Sequence, residues 1–99
     1  MTDEKPKTQE NYIFIGSKPI MSYVTGVLIQ FNTNNAPEVT IKSRGKFISR
    51  AVDVAEVARR KFPDLNIQIK DIKVASEEFE NKEGRDINVS TMEIILVKG

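Results

Sequence analysis

One local pattern occurs twice in the first two thirds of this chain. A short, β-prone apolar run ends near a glycine with a cation within two residues, and apolar residues at helical spacing follow. The first copy is "NYIFIG" and then "SKPIMSYVTGVLIQFN", residues 11–32. The second is "EVTIKS" and then "RGKFISRAVDVAEVARRKF", residues 38–62. A strand that feeds a helix and returns to a further strand is a crossover unit, and such crossovers are right-handed in almost every case. Two in succession put both helices on the same face of one sheet. Few architectures satisfy that.

Within the first helical segment, Ile20, Val24, Val27, Leu28 and Phe31 recur at helical spacing, and Pro19 suits a first helical position. Gly26 interrupts the segment at a cost of about 1 kcal/mol relative to alanine, unless something packs closely there. In the second, Ile48, Val52, Ala55 and Phe62, flanked by Ala51 and Ala58, predict a helix that stops before Pro63. Asp53 and Glu56 fall early in it and Arg59, Arg60 and Lys61 late, which complements the helix dipole. The strand between the helices alternates, with Val39 and Ile41 on one face. The rest of the chain reads as extended. In "LNIQIKDIKVAS" the residues Ile67 and Ile69 share one parity while Ile72 and Val74 have the other, which predicts a bulge near Lys70 and Asp71. "VSTMEIILVKG" is a last strand with apolar residues on both faces: Met92, Ile94 and Leu96 against Val89, Ile95 and Val97. Between these two lies "EEFENKEGRDIN", polar and carrying Gly84, expected to be a long protruding hairpin with a loosely held tip.

The predicted order is βαβαββ, a two-layer α/β sandwich with a four-stranded mixed sheet and two helices on one face. Residues 1–10 are expected to be a flexible tail and residues 11–99 a single domain. One helix layer covers one sheet face, so part of the second apolar set on the last strand is expected to meet a partner subunit.

The chain contains neither Cys nor His, which excludes disulfides, thiolate nucleophiles, imidazole bases and the usual zinc ligands together. Ser49 and Ser90 have no histidine to activate them. The carboxylates Glu77, Glu78 and Glu80 fall on the solvated hairpin, where nothing raises a pKa for acid–base work. No phosphate-binding glycine motif of the P-loop or GxGxxG kind is present. A non-enzymatic protein without metal or cofactor is expected. The N-terminus is polar rather than a signal sequence, and no apolar run approaches the roughly 18 residues of a membrane helix; an intracellular location is the simplest expectation.

The net charge of +1 is unevenly spread. Residues 11–63 hold eight cations against three anions, whereas residues 64–99 hold five against eight. Either a polyanion partner or plain solvated charge accounts for this. The cations concentrate at the second turn, where Lys42, Arg44, Lys46 and Arg50 surround Gly45 with no acid among residues 41–52. Helix starts offer free backbone N–H groups to phosphate. The "GSKP" turn at residues 16–19 repeats the arrangement, and in a βαβα unit both turns emerge at the same end of the sheet, a seat for a phosphate backbone. Tyr12, Phe14, Phe31 and Phe47 are expected in the core, with Phe62 and Phe79 the most exposed rings. That placement argues against base reading on single strands, which needs exposed rings at alternate strand positions beside cations.

The runs "IGSKPIMSYV", "VTIKSRGKFISRAVDVAEVARRKF", "IKDIKVAS" and "GRDINVSTMEIIL", in this order and spacing, resemble the Alba family of archaeal chromatin proteins. The similarity runs from about Asn11 to Lys98, and its most specific parts are the patterns KxRGxxISxAVD and GxKPxMxYV. The resemblance implies a βαβαββ dimer that binds double-stranded DNA, and often RNA, largely without sequence preference, with two hairpin arms reaching along the minor groove. It places Lys18 on a family lysine that contacts nucleic acid. Ser17 stands where many members carry a second, acetylated lysine. Arg44, Gly45 and Lys46 match the family's turn at the duplex, with Lys42 and Arg50 as flanking phosphate contacts. Arg85 matches an arginine at the arm's tip, Asn88 replaces a further basic residue, and Phe62 matches an aromatic that mediates contact between dimers along DNA.

The arm departs most from the family. Glu77, Glu78, Glu80, Glu83 and Asp86 face only Lys82 and Arg85. Carboxylates near phosphates oppose binding. Three readings follow: a chromosome-associated cytoplasmic protein that coats, compacts or bridges duplex DNA; an RNA-binding protein or ribonucleoprotein subunit; and a protein–protein module that pairs with a more basic paralogue.

Overall fold

A computed structural model describes residues 11–99; the tail expected over residues 1–10 lies outside the described residues. Strand β1 (Tyr12–Phe14) leads into helix α1 (Ile20–Asn32), then strand β2 (Glu38–Arg44). A single 3-10 turn, Gly45–Phe47, precedes helix α2 (Ile48–Lys61), and a second, Pro63–Leu65, leads to the long strands β3 (Ile67–Glu80) and β4 (Asp86–Lys98). The four strands lie in the order β1-β2-β4-β3. β1 runs parallel to β2, while β4 runs antiparallel to both of its neighbours. The mixed sheet, the two helices and the hairpin agree with the expected architecture.

Both helices sit on one face of the sheet. Val24, Val27 and Phe31 from α1 and Ala51, Val54, Ala55 and Ala58 from α2 are buried against Val39 and Ile41 of β2 and Ile94 and Leu96 of β4. The buried stripe of α2 is therefore rotated from the expected one. Its small alanines let the helix approach closely, and Val52 turns outward at 43% exposure. Asp53 also begins beyond the first helical turn, which carries no acid, while Arg59, Arg60 and Lys61 close the last turn as expected. Gly26 has its reason in packing. A Cβ there would stand 3.3 Å from Cδ1 of Ile13, so β1 comes closer to α1 than alanine comfortably allows.

The bulge lies where the change of parity put it. Ile69 pairs with Leu96 and Asp71 with Ile95, leaving Lys70 unpaired. Its extra residue keeps Ile69 and Ile72 on the helix side of the sheet. The Lys70 ammonium reaches Glu38, and that carboxylate's hydrogen bond and charge raise its pKa above the usual lysine value.

Beyond the rung between Arg44 and Thr91, β2 ends and the β3–β4 pair continues alone through five more rungs, Ser76–Ser90 to Glu80–Asp86. At about 3.3 Å per residue this arm projects roughly 17 Å past the sheet. Its tip is organised, contrary to the sequence-based expectation. The Asn81 side-chain oxygen accepts from the backbone N–H groups of Glu83 and Arg85, both at 2.9 Å, and Gly84 takes φ +81°. An asparagine that folds back on the following backbone is a turn-former in its own right.

Among the described residues, no helix is long and apolar enough to cross a membrane.

Candidate nucleic-acid interface

Because β1 and β2 are parallel neighbours, the turns that follow them leave the sheet side by side. Arg50, in the first turn of α2, ties them together. Its Nε donates to the Gly16 carbonyl at 3.0 Å, and a second guanidinium nitrogen donates to the Lys18 carbonyl. Arg50 is thus the strut between the cationic turns. Its fork is held by two backbone oxygens rather than left open toward solvent.

A second fixture comes from α1. The Tyr23 hydroxyl accepts from the N–H groups of Gly16 at 2.9 Å and Lys18 at 3.1 Å. These two amides are engaged, so the expectation that free N–H groups at this turn seat a phosphate does not hold for them. What the turn presents is the Lys18 side chain, exposed and without an ion pair among the described residues.

The second turn uses the conformational freedom of glycine. Gly45 has φ +57°, a left-handed backbone that costs a Cβ-bearing residue about 1 kcal/mol. Space is not the obstacle: an added Cβ would meet Val89 at an ordinary 3.7 Å. On either side of it Arg44 and Lys46 are both exposed. Arg44 Nη1 lies 3.2 Å from Glu77 Oε1 at the root of the arm. Lys42 Nζ lies 3.5 Å from Glu93 Oε2 and 4.5 Å above the Tyr12 ring. A solvent-exposed pair such as Arg44–Glu77 is worth about 0–1 kcal/mol, so a phosphate oxygen can exchange for its carboxylate; the Lys42–Glu93 pair is half-buried.

Lys18, Lys42, Arg44, Gly45, Lys46 and Arg50 therefore gather at one end of the sheet. Three sequence-predicted residues do not. Arg85 is at the tip of the arm, Asn88 lies on the arm across from Glu78, and Phe62 caps the far end of α2, where it packs partly against the core. Phe14, expected inside, is instead 66% exposed on the sheet face away from the helices. Tyr23 and Glu93 were not singled out from sequence, and Glu77 was read only as part of the acidic arm, not as the partner of Arg44. Tyr23 had a local signal in the GxKPxMxYV pattern, of which it is part; the placement of the two carboxylates beside Lys42 and Arg44 depends on strand register and had none.

The family model described as Alba matches residues 11–76. The DNA/RNA-binding protein Alba 1 of Archaeoglobus fulgidus is 53% identical over 90 residues, covering 90% of this chain and 97% of that protein. The DNA/RNA-binding protein Alba of Methanococcus maripaludis is 46% identical over 89 residues, with 90% and 99% covered. Among solved structures, Alba from Thermoplasma volcanium superposes with a TM-score of 0.80 at 46% identity, covering 89% of this chain and all of that one.

Proposed function

The chain belongs to the Alba family, and on that premise we propose that it is a chromatin protein that binds duplex DNA through phosphate contacts, largely without regard to sequence. The observation that carries this reading is the pair of cationic turns held side by side by Arg50. Lys18, Arg44 and Lys46 supply the charge, Lys42 adds to it once Glu93 is displaced, and Arg85 contributes from the arm. These are phosphate contacts, which position a protein on nucleic acid but carry no base information. The protein acts in the cytoplasm on the chromosome.

The working unit is a dimer. On the helix side of β3, α2 covers Ile67 but not the residues beyond it, leaving Ile72 and Val74 at 48% and 70% exposure. Val52 lies two helical turns before Arg59, whose Nε donates to the Ile67 carbonyl, so Val52 projects from the same flank of α2. An apolar edge strand beside an apolar helix flank is a surface a soluble monomer seldom leaves open. Phe62 links neighbouring dimers on the duplex.

The test is duplex-DNA affinity at several salt concentrations. Each phosphate neutralised contributes a slope of roughly −0.9 in log affinity against log salt. A slope steeper than about −3, equal on unrelated sequences, supports the reading; no binding at low salt overturns it. A second reading, RNA as the principal partner, draws on the relatives' names as DNA/RNA-binding proteins and is separated by competition between duplex DNA and structured RNA. A third, pairing with a more basic paralogue, draws on the acidic arm.

A further inference from the structure

The exposed Phe14 and its neighbour Tyr12 are rings that the proposed duplex contacts do not use. Tyr12 and Phe14 alternate along β1 and share the open face of the sheet, their rings edge to face with centroids 6.1 Å apart. Phe14 is 66% exposed. Lys42, on the adjacent strand, holds its ammonium 4.5 Å from the Tyr12 ring centre and 5.7 Å from that of Phe14. Exposed rings at alternate strand positions with a neighbouring cation are what unpaired bases stack on.

A groove of about 420 Å³ runs from this platform over the end of the sheet, lined among others by Phe14, Lys42, Arg44, Phe47, Glu77 and Glu93. That volume lies within the roughly 300–1,000 Å³ typical of small-ligand sites, enough for a nucleotide. Its polar groups come as two ion pairs, the half-buried Lys42–Glu93 and the exposed Arg44–Glu77. The cations suit a backbone phosphate, and the carboxylates accept from the amino edge of a base. Arg44 belongs both to the groove and to the cationic turn, so the groove that Phe14 lines adjoins the turn.

We propose that the open face of the sheet is a second nucleic-acid site, which takes an unpaired nucleotide of a single strand by stacking its base on Phe14. The site goes beyond the duplex interface. It makes the protein a reader of junctions between paired and unpaired nucleic acid.

The experiment compares wild type, Phe14→Leu and Phe14→Tyr. Fluorescence anisotropy measures binding to a labelled adenine-only RNA of about 12 nucleotides, its DNA counterpart and a blunt DNA duplex, at one salt concentration; a stretch this long covers about one to three single-strand site sizes. Leucine keeps an apolar side chain but has no π-face, and the position is exposed, so thermal melting should match wild type. Phe14→Leu is expected to bind the single strands about tenfold more weakly, a ratio that 1.4 kcal/mol of lost stacking produces. Its duplex affinity should stay within about twofold of wild type and Phe14→Tyr should retain single-strand binding, since the loss is one of stacking and not of charge. A loss on RNA and DNA strands alike assigns recognition to the base; a loss on RNA alone adds a ribose contact. Unchanged single-strand affinity in Phe14→Leu, or an equal loss on duplex, overturns the proposal. Failure of wild type to bind duplex while Phe14-dependent single-strand binding persists would instead overturn the duplex reading alone.

Discussion

Arg44 of β2 and Glu77 of β3 meet across the strand that separates them, Nη1 to Oε1 at 3.2 Å. The pair joins the cationic turn to the root of the acidic arm. Both side chains are more than half exposed, so its effect on stability is small. On the proposed duplex reading its effect on binding is larger, because the carboxylate must be displaced before Arg44 can serve a phosphate. Glu77→Gln is therefore expected to raise duplex-DNA affinity about threefold at low salt and to steepen the salt dependence. Titrations at three or more salt concentrations check this; weaker binding would mean that Glu77 orients Arg44 instead of occupying it.

Arg50 predicts the opposite signature. With its guanidinium on the carbonyls of Gly16 and Lys18, Arg50→Ala is expected to cost about 1–2 kcal/mol of stability. For a domain of this size that lowers the melting temperature by roughly 4–15 °C. Affinity should fall as the two turns separate, with the salt slope little changed. A slope reduced by a full phosphate would identify Arg50 as a direct contact.

Tyr23→Phe removes the acceptor shared by the Gly16 and Lys18 amides. Faster hydrogen exchange at those two amides is the expected outcome, with a stability loss of about 1 kcal/mol. Unchanged exchange at both would show that the hydroxyl does not hold the turn.

Val74→Glu tests the dimer. A charge placed at this exposed apolar position costs an isolated chain little, but buried without a partner in an interface it costs several kcal/mol. Size-exclusion chromatography with light scattering should show a dimer for wild type and a folded monomer for the variant; a variant that remains dimeric would move the interface elsewhere.

The sequence made legible what depends on periodicity. The bulge at Lys70 followed from one change of parity between Ile69 and Ile72, and the adjacency of the two turns followed from the repeated strand–helix order. Phe14 was misplaced because β1 is three residues long and apolar throughout, leaving no alternation to assign its faces. Val52 was misplaced because alanines, weak carriers of a hydrophobic signal, form the buried stripe of α2. The Arg44–Glu77 and Lys42–Glu93 pairs join residues 33 and 51 positions apart through strand register, and no local pattern encodes them.

The unpaired Lys70 has one more consequence. A bulge sharpens the twist of the strand that carries it, so it acts as the joint of a lever whose far end is Arg85. Deleting Lys70 would restore regular pairing without exchanging the two faces of the arm, since Ile69 and Asp71 already oppose consecutive residues of β4. Every side chain at the tip would keep its neighbours, yet the tip would aim elsewhere. Within such a hairpin, a single backbone insertion adjusts where the arm points independently of what it carries, and the reach of the arm can be retuned without exchanging one residue at its tip.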